Sequence, residues 1–237
     1  RMLTNLEGSW EESPPTLLDA AVRDRRWAQG NVQHLAVLRT RGLRWPSRVH
    51  MIMGVMNYAS SPLWLASVLV GLAVYTLVAA QPTLGGQFDP AQMVNLFVAT
   101  MGLLLVPKLL GLGRALLRPQ ARGGLSRRAL VANAVVEQLF SLLYAPVVMA
   151  LHSQQLWEIF RGQDSGWSAQ QRNGRAFPLR VLLRRHAGHT LAGLMLTVPL
   201  VLLQSPLLYW MLPMTLGLML AIPLSAGSSS QAAANLL

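Results

Sequence analysis

The chain has no cysteine among its 237 residues, which excludes a disulfide framework and any thiolate metal site. Charge is also scarce. Only 12% of the residues are charged, where a soluble domain carries about a quarter, so the chain is too poor in charge to be mainly soluble. Acids are rarer still, nine against twenty Lys and Arg, for a net charge of +11. No phosphate-binding or dinucleotide glycine motif occurs, nor any internal repeat. No signal peptide is visible, because the first apolar run starts only near Met51. Apolar residues are abundant, at 52%, with a mean hydropathy of +0.37. The basic residues fall in blocks between long apolar runs, as the positive-inside rule produces in polytopic membrane proteins. Nucleic-acid binding, which a basic chain could otherwise suggest, is set aside on that distribution.

The first fifty residues hold most of the acids, among them Glu7, Glu11, Glu12, Asp19 and Asp24. Pro14-Pro15 ends whatever precedes it, and Thr16 can cap a helix over residues 18–28, with Gly30 as its stop. Val32, Leu35, Ala36 and Leu38 give a second, short amphipathic helix, followed by Arg39, Arg41, Arg44 and Arg48. A basic helix ahead of a spanning segment belongs in the membrane interface. Residues 51–80 and 93–112 are long enough to span, since a crossing needs about 20 apolar residues. The more polar stretch Asn57 to Pro62 predicts a kinked entry to the first of them. The loop over residues 81–92 carries no Lys or Arg and should lie on the outer side. Lys108, Arg114, Arg118, Arg122, Arg127 and Arg128 bring the chain back.

Residues 129–152 are apolar but contain Glu137, with basic blocks on both flanks. Crossing would put one of those blocks outside, so an interfacial or re-entrant helix is expected. Glu137 is either a functional acid or a plain interface residue. Residues 157–185 form a cytoplasmic loop holding Arg161-Gly162-Gln163-Asp164-Ser165-Gly166-Trp167, which suits either a flap over a ligand or a linker. His186 and His189 lack a third ligand, so no metal is read from them. Two short spans follow over residues 190–223, with a tight turn at Gln204-Ser205-Pro206. The fold class is mainly α: about four spans plus amphipathic interface helices, behind the end of a truncated α/β domain. The segments are 1–31, 32–50, 51–128, 129–189 and 190–237. The opening Arg1-Met2-Leu3-Thr4 has a mid-domain character, so a fragment is expected.

The stretch Arg23-Asp24-Arg25-Arg26-Trp27 lies where soluble character gives way to apolar. Two guanidinium forks can grip phosphate oxygens, and the adjacent indole can stack on a sugar. The same residues would also serve as a juxtamembrane anchor. Arg23-x-x-Arg26-Trp27 is similar to the Gln/Arg-x-x-Arg-Trp signature of membrane-embedded processive family 2 glycosyltransferases, the cellulose and hyaluronan synthase group. Gly8-Ser9-Trp10-Glu11-Glu12, Leu17-Leu18-Asp19, the continuation to Asn31 and the loop ending at Trp167 carry the likeness further, toward the members that make bacterial periplasmic glucans. The chain resembles their C-terminal part.

The resemblance implies a multi-pass enzyme of the bacterial inner membrane that polymerises glucose from UDP-glucose into a β-glucan and passes it to the periplasm. It implies that Arg26 pairs with the diphosphate and Trp27 stacks under the acceptor sugar, with Arg23 beside them and Asp164 and Trp167 closing over the nucleotide. It also implies a periplasmic glucan-processing partner and a divalent cation, Mg or Mn, in the full-length enzyme. Inverting transfer needs a carboxylate base and that cation. The family's motifs for both precede this region, so no catalytic residue and no metal ligand is assigned here, and this chain alone is expected to be inactive. The competing class is a multi-pass subunit or transporter without catalysis.

Overall fold

The computed structural model describes residues 14–79, 90–119, 124–164, 166 and 176–229. Among them every regular element is a helix: α1 (Leu17–Val37), α2 (Trp45–Ala79), α3 (Pro90–Leu117), α4 (Arg127–Phe160), α5 (Leu179–Leu202), α6 (Leu207–Met219) and α7 (Ala221–Ser228). The chain divides into two units, one of residues 1–65 and 143–237, the other of residues 66–142.

In the first unit, α1 starts where Thr16 predicts. The Thr16 side chain accepts from the Asp19 amide at 3.1 Å, and its hydroxyl donates to the Asp19 carboxylate at 2.6 Å. This cap satisfies the Asp19 amide, which no helical carbonyl can reach, and the acid suits the helix dipole. The amide of Leu17 donates to Ser228 Oγ of α7 at 3.1 Å. Gly30 does not stop the helix. It lies outside the positive-φ glycines, and α1 runs on to Val37 as one element rather than two. A helical glycine costs only about 1 kcal/mol, and tertiary contacts on both sides outweigh that. Val147, Leu151 and Ala221 pack with Leu17 and Ala21, while Ala28, Tyr58 and Leu156 pack with Val32 and Ile159. Helix α1 is therefore held along the last third of α4. Helix α5 packs on α6 and α7, and Gln204, at φ 49°, makes the expected turn between α5 and α6.

The second unit comprises the rest of α2, α3 and the first part of α4. Helix α2 continues through Pro62 with no break at the polar stretch. Proline is tolerated inside a spanning helix, where neighbouring groups take up the freed carbonyl.

Three helices, α2, α3 and α4, are long and apolar enough to cross a membrane. Helices α6 and α7, bent by 54° at their break, make a fourth if the pair is one span. The total matches the expectation of about four, but the membership differs. Helix α5 is not among them, and α4 is. Residues 129–152 belong to one unbroken helix of 34 residues, about 51 Å long at 1.5 Å per residue, so a re-entrant break is not what the sequence forms there. Within this helix Glu137 has a partner, lying 3.0 Å from Lys108 of α3. Pairing is the usual condition for a charge at membrane depth.

Candidate functional site

Helix α1 presents two neighbouring faces, and they do different things. Leu18, Ala21, Val22, Arg25 and Arg26 follow one another at helical spacing and form one wall of a cleft of about 520 Å³. Helix α4 supplies Leu151, Gln155 and Glu158 to the cleft, its following loop supplies Gln163, Asp164 and Gly166, and Val181 and Arg185 come from α5. That volume is within the range of small-molecule sites, about 300–1,000 Å³, and the mixture of apolar floor and convergent polar groups is their usual lining.

The loop reaches the cleft because of how α4 ends. Gly162, at φ 75°, donates to Ile159 O at 2.9 Å, and the Gln163 amide donates to Glu158 O at 3.0 Å. This is the paired bonding of a left-handed glycine cap, and it turns the chain back toward α1. There Arg25 donates from Nη2 to Gln163 O at 2.6 Å, from Nη1 to Gln29 Oε1 at 3.2 Å and from Nε to Glu158 Oε2 at 3.4 Å. Gln29 in turn donates to Asp164 Oδ1 at 2.7 Å, which also accepts from the Gly166 amide at 3.1 Å.

Arg25 is buried, so replacing it with Met should leave Glu158 and the Gln163 carbonyl without their donor. The expected cost is about 2 kcal/mol, between that of an exposed and a buried ion pair. It should appear as a lower melting temperature in detergent and faster proteolysis after α4. Unchanged values for both would show that Arg25 does not hold the loop.

The adjoining face carries Arg23 and Trp27, neither of which lines the cleft. The Arg23 guanidinium lies 4.5 Å from the Trp27 ring centroid and donates to Asp24 Oδ1 from Nη2 at 3.0 Å and from Nε at 3.2 Å. The indole is half exposed. Asp24 Oδ2 meets His152 Nε2 at 3.3 Å, and His152 Nδ1 meets Ser61 Oγ at 3.3 Å. The tautomer with its proton on Nε2 satisfies both contacts. Burial raises the Asp24 pKa, but the bonds from His152 and Arg23 outweigh it and hold the carboxyl below its ordinary 3.8. The order Ser61–His152–Asp24 resembles a nucleophile relay, yet none of the three lines the cleft. Its role here is to tie α1 to α2 and α4.

Of the residues singled out from sequence, Arg26 and Asp164 meet in the cleft, and Arg23 and Trp27 pair on the adjoining face. Trp167 lies outside the described residues. Sequence reading missed Arg25, Gln29, Glu158, Gln163 and Arg185. The first had a signal: Arg25 falls in the buried stripe of Leu18 and Ala28, where an arginine needs a built partner. Among the described residues, no group of three or more His, Asp or Glu gathers that could hold a metal ion.

His186 and His189 on α5 are buried with their ring centroids 5.3 Å apart, and His186 has no hydrogen bond at either ring nitrogen. Burial, with His189 and Arg185 nearby, lowers the His186 pKa from 6.5 to about 4. The unfolded chain therefore takes up this proton first. Stability is fully present above about pH 6.5 and falls as pH drops toward 4, by about 3 kcal/mol at most. His186→Leu should remove most of that slope in melting temperature against pH; an unchanged slope would assign it to other groups.

Compared with known proteins, the chain is 41% identical to a Glucans biosynthesis glucosyltransferase H of Bradyrhizobium diazoefficiens over 98% of its length and 33% of the relative's. It is 41% identical to the protein of that name from Rhodopseudomonas palustris over 94% of its length and 33% of the relative's. For the Shewanella baltica protein the identity is 39%, over 95% and 33%. No family model matches, and no solved structure does. The chain spans about a third of the length of these curated relatives. Along almost all of its own length, then, the chain is a relative of the glucans biosynthesis glucosyltransferase H proteins and corresponds to one third of them.

Proposed function

We propose that this chain is the acceptor-binding and membrane-channel portion of an inner-membrane glucosyltransferase, which polymerises glucose from UDP-glucose into a β-glucan backbone and passes it to the periplasm. The observation that carries this reading is the two-faced helix α1. One face puts Arg26 in a cleft with Asp164, and the other holds a half-exposed indole under a guanidinium. The names of the relatives support the reaction class. In this reading Arg26 neutralises the diphosphate as UDP departs, which favours the step because charge grows on the leaving oxygens. Trp27 offers the acceptor sugar a flat apolar platform, and Arg23 keeps the ring oriented. Asp164 and Trp167 close over the nucleotide.

The transfer itself belongs to the whole enzyme. A carboxylate base would take the acceptor proton, and a divalent cation, Mg or Mn, would supply charge to offset the leaving diphosphate. Both would be held by residues outside this chain. The product would pass to a periplasmic glucan-processing partner. The test is UDP-glucose-dependent glucan synthesis by membranes carrying the full-length enzyme, with Trp27 intact or replaced by Ala. Normal synthesis by the variant would sink the reading and leave a membrane anchor.

A further inference from the structure

The five acids among the described residues are all engaged. Asp19 is held by Thr16, Asp24 by Arg23 and His152, Glu137 by Lys108, Glu158 by Arg25 and Asp164 by Gln29. Among the described residues, each of these acids is thus paired elsewhere than with the arginines at the start of α5. Arg180, Arg184 and Arg185 stand on consecutive turns at its start, all exposed. None makes an ion pair or side-chain hydrogen bond with a described residue. With Val181 they line a hollow of about 750 Å³. Three like charges this close repel one another, and an anion at their centre removes the repulsion. Guanidinium forks suit the oxygens of a phosphate in particular.

The surroundings say which phosphate. Leu179, Val181 and Leu183, interleaved with the arginines, are exposed, and so are Leu191, Leu194, Met195 and Val198 further along the same helix. A soluble anion has no use for that surface, whereas a lipid places its headgroup on the arginines and its chains along the apolar residues. We propose that Arg180, Arg184 and Arg185 bind the phosphate-bearing headgroup of an anionic phospholipid. This goes beyond the sugar-nucleotide reading and does not depend on it. The hollow and the cleft share Val181 and Arg185, so the bound headgroup borders the cleft.

The full-length protein, delipidated in neutral detergent, is titrated with phosphatidylglycerol and followed by native mass spectrometry. Wild type should bind it in preference to phosphatidylcholine. The triple variant Arg180→Gln, Arg184→Gln, Arg185→Gln should bind about a hundredfold more weakly, at about 1 kcal/mol per lost charge. Arg→Lys at the same three positions keeps the charge and should stay within about tenfold of wild type. Arg39→Gln, Arg41→Gln, Arg44→Gln, which removes as much charge from outside the hollow, should weaken binding clearly less than the α5 triple. Equal loss in both Gln triples would mean a diffuse basic surface and overturn the site. Equal loss in the Lys and Gln forms would mean damage to the helix and overturn it too. Displacement of the lipid by millimolar inorganic phosphate would assign the hollow to free anions and overturn the lipid part.

Discussion

Trp27→Ala in the full-length enzyme should abolish UDP-glucose-dependent glucan synthesis while leaving the protein at its normal level in the membrane. Two features of the site give both halves of that expectation. The indole is half exposed, and among the described residues its one electrostatic contact is the Arg23 guanidinium at 4.5 Å, so its removal takes little from the packing of α1. That packing rests on Leu17, Ala21, Ala28 and Val32 instead. A binding surface that relies on one aromatic platform loses at least about 2 kcal/mol when that platform is cut to Ala, or more than about thirtyfold in affinity. A polymerase must hold its acceptor through every cycle, so the loss compounds with chain length. Trp27→Phe should keep a flat ring and retain part of the activity. Product measured by labelled glucose incorporation, beside an immunoblot for protein level, separates the cases. Loss of protein along with product would show that the residue is structural.

The second large effect concerns stability. Gly217→Val in α6 should prevent accumulation of monodisperse protein in detergent. A Cβ at this position would come within 2.5 Å of Pro146 Cγ and closer still to the Leu143 carbonyl oxygen of α4. The clash is with backbone and a proline ring, neither of which can rotate away. Overpacking a core costs about 1–3 kcal/mol even where side chains can yield, and Val adds two methyl groups beyond that Cβ. Small residues at helix crossings let backbones approach closely, which drives helix association in lipid. Gly71→Val is the control, since nothing lies within 4 Å of a Cβ there. Equal yields and melting temperatures for the two variants would show that the crossing of α4 and α6 is not tight.

What could be read from the sequence divides along physical lines. Signals carried by single residues with a strong local chemistry were legible: the Thr16 cap, the turn at Gln204, and the long apolar runs of α2 and α3. Signals that depend on a partner were not. Gly30 looked like a stop because a glycine penalty is visible in sequence, whereas the contacts of Ala28 and Val32 that override it are not. Residues 129–152 were expected to be interfacial or re-entrant because basic blocks flank both ends; charge placement carries no information on helix continuity, and the segment is one unbroken helix. In the site, Arg23, Arg26 and Trp27 were read as one cluster, since three- and four-residue spacings share a face. A 100° step per residue nevertheless places Arg26 in the cleft and Arg23 with Trp27 beside it. The buried stripe marks Arg25 as needing a partner, but which partners these are emerges only once Glu158 and Gln163 are brought to it across more than 130 positions.

Gly162 and Gly166 both sit at positive φ, 75° and 62°, at either end of the short segment that carries Gln163 and Asp164. Arg25 and Gln29, one helical turn apart, each grip one of those two residues. Because Arg25 also donates to Gln29, the two grips are joined to each other, so a change at either residue reaches both Gln163 and Asp164.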